Sequence, residues 1–339
     1  MGKNIVLSGY YGFKNFGDEA ILSVLVQKLE SYGHNITVIS SNPEYTKSQH
    51  NNVNSIYTFN FKDIVSTIFH TDILVSGGGS LLQDATSLKS LFYYLGIIFL
   101  GIFFRKKVII FAQGIGPITD IFGEIFTLIL LKRCKYVSVR DSESFKYLKK
   151  HNINADLLCD PIFSTQISDN IQKEKVVAVQ LRDCKGINTD FINRLSHEVC
   201  THFPDYKIEI FSLQDEIDFN ICKEFEKNIQ MLNPDMNIVV YKDLSNSQII
   251  NQLSKAEYLI AMRFHALITG ILTKTKVLAV NYDIKVEKIA AEFNLPIVNF
   301  HCELKDQFDN MKNENIEEIA SKAQNKKFDW SGFENAINN

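Results

Sequence analysis

The chain has 339 residues and a mass of 38.8 kDa, enough for two domains at roughly 150 residues each. Hydrophobic residues make up 45% and charged residues 22%, which excludes the disordered and fibrous classes. A net charge of -3 and a pI near 6.3 argue against a nucleic-acid binder, which would carry a basic face.

Short β-branched runs alternate with helical patterns from end to end, the signature of a parallel-sheet α/β protein. In the first half, strands are predicted at 4–8, 36–40, 72–76, 108–112, 136–139 and 156–159. The chain opens directly on a strand, with no charged-then-apolar leader, and Val6 stands where a myristoylation motif needs Ser or Thr. Between the first two strands, Asp18 is placed to cap a helix whose apolar residues 21, 22, 25 and 29 share one face.

Residues 91–104, LFYYLGIIFLGIFF, carry no charge and run into Arg105, Lys106 and Lys107. As a helix this stretch reaches about 21 Å, short of a hydrocarbon core of about 30 Å. A helix buried against a sheet is the plain expectation. The alternative is an apolar face resting on a membrane, with the basic triplet at the headgroups.

Residues 164–175 are polar and aperiodic, and they are the predicted linker. Strands then resume at 176–181, 207–211, 237–241, 257–261, 276–280 and 297–300. The expected domains are 1–168 and 174–300. A helical tail, 301–339, with the only Trp of the chain (Trp330), could pack back on the first domain. The expected fold is α/β, with two Rossmann-like βα domains facing a cleft and ligands held off the carboxyl ends of the strands. The six cysteines (134, 159, 184, 200, 222 and 302) form no CxxC pair and no metal-ligand spacing. They read as reduced thiols of a cytoplasmic chain.

Glycine is unevenly spread: 13 of 16 fall within residues 1–123, eight of them in three short clusters. The first, Ser8 to Ala20, contains Gly9, Gly12, Asn15, Gly17 and Asp18 and joins a strand to a helix start, where free N–H groups attract anions. It is neither GxGxxG nor a P-loop, and a tight turn explains it as well. The second, Gly77-Gly78-Gly79 followed by Gln83, reads as an anion-binding nest in preference to a plain turn. The third is Gln113-Gly114-Ile115-Gly116-Pro117, also at a strand end. All three would line one sheet edge.

Polar residues recur at the other strand ends: Arg140, then Arg182, then Arg263 with His265, then Lys285. Taken singly, each cation is explained by a structural ion pair and the histidine by ordinary packing. Together they outline a pocket for a compact polyanion, with a group able to move a proton. No Ser-His-Asp set and no HExxH is present.

These segments carry a resemblance. GYYGFKNFGDEAIL, SGGGSLLQD, QGIGP, VSVRDSES, the Asp160-Pro161 pair, and MRFHALI followed by NYDIK occur in an order that resembles the polysaccharide pyruvyl transferases. The likeness extends from about residue 8 to residue 285, and Phe264 stands where many relatives have Leu. It implies a glycosyltransferase-B-like fold and transfer of pyruvate from phosphoenolpyruvate to a sugar as a ketal, with release of phosphate. It also places Arg140, His265 and Lys285 on the positions that carry catalysis and phosphoenolpyruvate binding.

The chemistry suits these side chains. Arg and Lys with backbone N–H groups clamp a small polyanion, and histidine moves protons near neutral pH. No metal or redox cofactor is expected, phosphoenolpyruvate being a co-substrate. The expected acceptor is a cell-surface glycan carried on a polyprenyl diphosphate, reached by peripheral contact at the cytoplasmic membrane face. A nucleotide-sugar glycosyltransferase and a non-catalytic glycan-binding module are the alternatives. Against the first, neither a uridine platform nor a ribose-binding Glu is evident late in the chain.

Overall fold

The structure, a computed structural model, describes residues 2–167 and 171–339. The chain divides into two compact units, Met1–Thr165 with Lys327–Asn339, and Gln166–Lys326.

The first unit begins β1 (Asn4–Ser8), α1 (Phe16–Glu30), β2 (Asn35–Ser40), α2 (Pro43–Gln49) and β3 (Val53–Tyr57). It continues α3 (Phe61–His70), β4 (Ile73–Gly77), α4 (Leu88–Phe103), β5 (Lys107–Gln113) and α5 (Ile121–Leu131). It ends β6 (Tyr136–Val139), α6 (Ser142–Lys150) and β7 (Asp156–Leu157). The seven strands are ordered β3-β2-β1-β4-β5-β6-β7, every pair parallel. The central runs are apolar and buried throughout, as a sheet covered on both faces requires: Leu7, Leu74, Val75 and Ile109 are all fully buried.

Two expectations need correction. The strand β3 and the helix α2 before it gave no hydrophobic signal. β3 is the edge strand, VNSIY, half solvated, so it need not carry an apolar run. Asp18 does not cap α1. The helix starts earlier, at Phe16, with the Asn15 side chain accepting from the Gly17 N–H at 3.2 Å. Asp18 sits in the first turn, where a carboxylate suits the helix dipole.

The second unit begins β8 (Glu174–Gln180), α7 (Thr189–His202), β9 (Lys207–Phe211), α8 (Asp215–Leu232) and β10 (Ile238–Tyr241). It continues α9 (Asn246–Lys255), β11 (Ala256–Ala261), α10 (Phe264–Leu272), β12 (Lys276–Val280) and α11 (Ile284–Phe293). It ends β13 (Ile297–Val298), α12 (Lys305–Lys312) and α13 (Ile316–Asn325). Its six strands are ordered β10-β9-β8-β11-β12-β13, again all parallel. Phe191, Phe203, Ile210, Phe225 and Met262 belong to its core. Fully burying a side chain of this size stabilises by about 1.5–3 kcal/mol.

Part of the expected linker, and residue 168 where the first domain was expected to end, lies at 168–170, outside the described residues. Residues 301–339 do not act as one tail. α12 and α13 belong to the second unit, whereas Lys327–Asn339, with the last helix α14 (Ser331–Asn338), belongs to the first. There the Trp330 ring stacks on Phe111 of β5 at 5.4 Å, and Glu334 pairs with Lys28 of α1 at 2.7 Å. The segment 91–104 forms most of α4, a helix with one covered side and one open side. Leu91, Tyr94, Leu95 and Ile98 are buried, while Phe92, Phe99 and Phe103 are exposed.

Candidate active site

On the first sheet the three glycine loops follow β1, β4 and β5, which are neighbours in the sheet, so all three lie along its carboxyl edge. The second and third are laced together by backbone hydrogen bonds. The Gly78 N–H donates to the Phe111 carbonyl at 2.9 Å, Gly114 N–H to Gly79 at 2.9 Å, and Gly116 N–H to Leu82 at 2.8 Å.

The glycines are needed for close approach. Gly12 has φ +81°, and a Cβ there would lie 2.1 Å from Ser40 Oγ. Gly78 has φ +52°, with a would-be Cβ 2.3 Å from Ile21 Cγ2 of α1. Any L side chain at either position meets both steric exclusion and an unfavourable dihedral. Gly77 faces the Tyr11 hydroxyl, Gly79 faces the Asp18 carboxylate, and Gly114 faces Ser80. Gly17 is simply buried in the first turn of α1.

The polar residues of these loops mostly hold the loops themselves. Gln83 binds Thr86 through both amide atoms, donating at 2.6 Å and accepting at 3.1 Å. Gln113 is fully buried and donates to Ser76 Oγ at 2.8 Å, while its buried Oε1 meets no hydrogen-bond partner among the described residues. Asp141 caps α6, its side chain accepting from the Ser144 N–H at 2.8 Å. Arg140, at the end of β6, pairs with Asp160 at 2.5 Å and donates to Ser80 Oγ at 3.3 Å. Its side chain is 8% exposed and that of Asp160 3%, so this is a buried ion pair.

On the second sheet Arg182 follows β8, Arg263 and His265 follow β11, and Tyr282 and Lys285 follow β12. These strands are adjacent, so the four expected residues share one carboxyl edge within this unit. They differ in state. Arg263 is buried and bidentate on Asp218, at 2.7 and 2.8 Å, and it donates to Gln214 Oε1 at 3.0 Å. It ties the start of α10 to the start of α8, so its charge is neutralised inside the unit. Arg182 has no carboxylate partner among the described residues. It lies over the Tyr282 ring at 5.4 Å and donates to the Tyr282 hydroxyl at 3.4 Å. His265 is half-buried in the first turn of α10, its ring edge-on to Phe264 at 5.1 Å. Arg263 is the N-cap residue of α10, and among the described residues no side-chain cap hydrogen bond closes that end. Lys285 is exposed in the first turn of α11, its N–H held by the capping Asp283 at 2.8 Å.

Several residues of these edges escaped the sequence reading. Glu19 is buried in α1 and accepts the Gly12 N–H at 2.7 Å, fixing the first loop from beneath. Burial pushes its carboxyl up to about 8, against the opposing pull of the Gly12 amide. In the sequence it looks like an ordinary first-turn acid. Asp218 and Gln214 lie far from Arg263 along the chain, with no local signal. Tyr10 and Phe13 stack in parallel at 4.1 Å across Gly12, and their spacing around a glycine was the available clue. None of the six cysteines is in a disulfide, and no metal-holding group of three or more His, Cys, Asp or Glu occurs among the described residues.

Comparison with solved structures finds the same fold at low identity. S. aureus MnaA, solved with UDP, aligns with TM-score 0.65 at 10% identity over 100% of this chain and 95% of that one. The UDP-GlcNAc 2-epimerase of Neisseria meningitidis, bound to UDP-GlcNAc, gives 0.62 at 12% identity over 96% and 95%. A glycosyltransferase from Rickettsia africae gives 0.58 at 14% over 100% and 94%. The fold is therefore glycosyltransferase-B-like, with two Rossmann-like units. No curated protein matches the chain significantly. The family model described as polysaccharide pyruvyl transferase does match, over residues 15–284. That match runs from the Asn15 cap of α1 through both carboxyl edges to the first residue of α11, and on that breadth the chain belongs to the polysaccharide pyruvyl transferase family.

Proposed function

We propose that the protein transfers the pyruvyl group of phosphoenolpyruvate to two hydroxyls of a sugar, forming a ketal and releasing phosphate. The observation that carries this reading is the family match through residues 15–284, the stretch that holds the end of the first glycine loop, the second and third loops, Arg140, Arg182, Arg263 and His265 and ends beside Lys285. In the proposed reaction a proton adds to the methylene carbon and leaves C2 electron-deficient. One sugar hydroxyl forms a C2–O bond, the C2–O bond to phosphate breaks, and the second hydroxyl closes the ring. Of the two hydroxyl protons, one balances the proton taken by the methylene carbon and the other leaves with phosphate.

His265 is assigned the proton transfers, since an imidazole ring nitrogen can both give and take a proton. Arg182 and Lys285 supply cationic donors for the phosphate and carboxylate, supported by the uncapped start of α10. Arg263, held by Asp218, anchors the start of α10 two residues before His265, and Arg140 donates to Ser80 beside the Gly77–Gly79 loop. The stacked Tyr10–Phe13 pair offers an apolar ring face for the acceptor sugar. The acceptor is assigned as a glycan on a polyprenyl diphosphate.

The test is incubation with phosphoenolpyruvate and soluble or lipid-linked glycans, following inorganic phosphate and product mass. Acceptor-dependent phosphate release with gain of one pyruvyl unit is expected. UDP release from a nucleotide sugar, or glycan binding without any release, would replace the reading.

A further inference from the structure

We propose that the α4–α5 face of the first unit is a docking surface for an anionic lipid bilayer. Right-handed crossovers from β4 to β5 to β6 set these two helices side by side on one face of the sheet. Their inner sides belong to the core. Their outer sides do not: Phe92, Phe99 and Phe103 of α4 and Ile121, Phe122 and Phe126 of α5 are all exposed. Ile121 is 70% exposed, Phe122 68% and Phe103 65%. Phe92 meets Phe126 edge-on at 6.5 Å, joining the two strips into one surface. The surface continues toward α3, with Phe103 against Phe104 at 5.3 Å and Phe104 against the exposed Phe69 at 5.4 Å. Single exposed apolar residues are ordinary, but a continuous aromatic surface marks a partner.

Charge decides which partner. Residues 88–135 contain seven Lys and Arg against two carboxylates, Asp120 and Glu124. Asp120 caps α5 and Glu124 accepts from Tyr147 of α6, so neither joins the aromatic strip. Arg105 and Lys106 follow the end of α4, and Lys132 and Arg133 follow the end of α5, beside a groove also lined by Lys135 and Lys149. Lys106 lies over the Phe69 ring at 5.7 Å, at the edge of the apolar surface. Aromatic rings to enter the acyl boundary, with cations beside them for phosphate headgroups, match an interfacial membrane surface. A second copy of the chain on this face would bring no row of carboxylates to meet the cations. The contact is peripheral: no helix among the described residues is long and apolar enough to cross a membrane. Its use, bringing the site to an acceptor embedded in lipid, rests on the acceptor proposed above, whereas the binding itself does not.

The experiment is flotation of the full chain with phosphatidylglycerol-containing or pure phosphatidylcholine vesicles. Wild type should float with the anionic vesicles and lose that binding in high salt. The double variants Phe122→Glu/Phe126→Glu and Lys132→Glu/Arg133→Glu should each cut binding at least about tenfold. Both pairs are exposed, so melting temperatures and phosphate release with a water-soluble acceptor should stay unchanged. Those controls separate failure of the surface from failure of the reaction. Folded wild type that floats with neither vesicle, or with both equally, overturns the proposal. So does a dimer in light scattering that Phe122→Glu/Phe126→Glu dissolves without any vesicle binding.

Discussion

The two carboxyl edges of this protein are built from different materials. On the first sheet the edge is mostly backbone: glycine loops bonded to one another, with Arg140 neutralised by Asp160. On the second it is mostly side chain. Only two of the 16 glycines, Gly186 and Gly270, lie within 166–326, and the edge instead presents Arg182, His265 and Lys285. A backbone edge is ordered before any ligand arrives and binds through fixed N–H groups, but it cannot move a proton. A side-chain edge must order long cations on binding, yet it can carry charge and exchange protons. Two similar folds thus present different materials at their carboxyl edges, one mostly backbone and one mostly side chain.

The sharpest way to break that comparison is His265→Gln, which keeps size and some hydrogen bonding without proton exchange. Turnover should fall about 10²–10⁴-fold, while calorimetric affinity for phosphoenolpyruvate persists. Near-normal turnover by a folded variant would mean that the second edge does not hold the proton-transfer group.

Arg140→Ala probes the first edge. Removing the guanidinium of a buried ion pair takes from Asp160 the cation that faces it, at a cost of about 3–5 kcal/mol of folding stability in urea denaturation. That loss of stability should exceed any change in phosphoenolpyruvate affinity. A fully stable Arg140→Ala protein with no phosphoenolpyruvate affinity would show that the first edge also works through charge.

Arg182→Ala and Lys285→Ala should act the other way, on binding and not on folding. Loss of a charge-assisted hydrogen bond costs roughly 1.5–3 kcal/mol, which is about ten- to a hundred-fold in the Michaelis constant for phosphoenolpyruvate. Unchanged affinity in both variants would remove these cations from the site.

The division also explains what could be read from the sequence. Buried parallel strands such as β1 and β11 announce themselves because both faces must be apolar, whereas the edge strand β3 is solvated and carries no such run. The glycine loops and strand-end cations were visible because tight turns and charges at strand ends are local patterns. What Arg140 and Arg263 do was not. A cation that clamps a ligand and one that is paired internally have the same letter, and the deciding partners, Asp160 and Asp218, lie 20 and 45 residues away. The buried face of α4 followed from its composition, but its exposed aromatics did not, since hydropathy alone does not say which side of an apolar helix is covered.

The smallest effect expected is a pH slope set by Glu19, and it tests whether the first edge depends on a carboxyl beneath it. Burial raises this carboxyl from the ordinary glutamate value to about 8, with Asp18 adding to the rise and the Gly12 N–H opposing it. Between about pH 4.5 and 8 the folded chain keeps a proton here that the unfolded chain has released. Stability from this group is therefore fully present below the unfolded value and is lost as pH rises through 8, at no more than about 1.4 kcal/mol per pH unit. Glu19→Gln keeps the side-chain shape and an oxygen to accept the Gly12 N–H, but it does not titrate. Urea denaturation at pH 5, 6, 7 and 8 should show the wild-type protein losing stability relative to Glu19→Gln across the series. Parallel curves would mean that Glu19 is ionised throughout. The first glycine loop would then rest on a buried carboxylate, and its edge would depend on charge as the second one does.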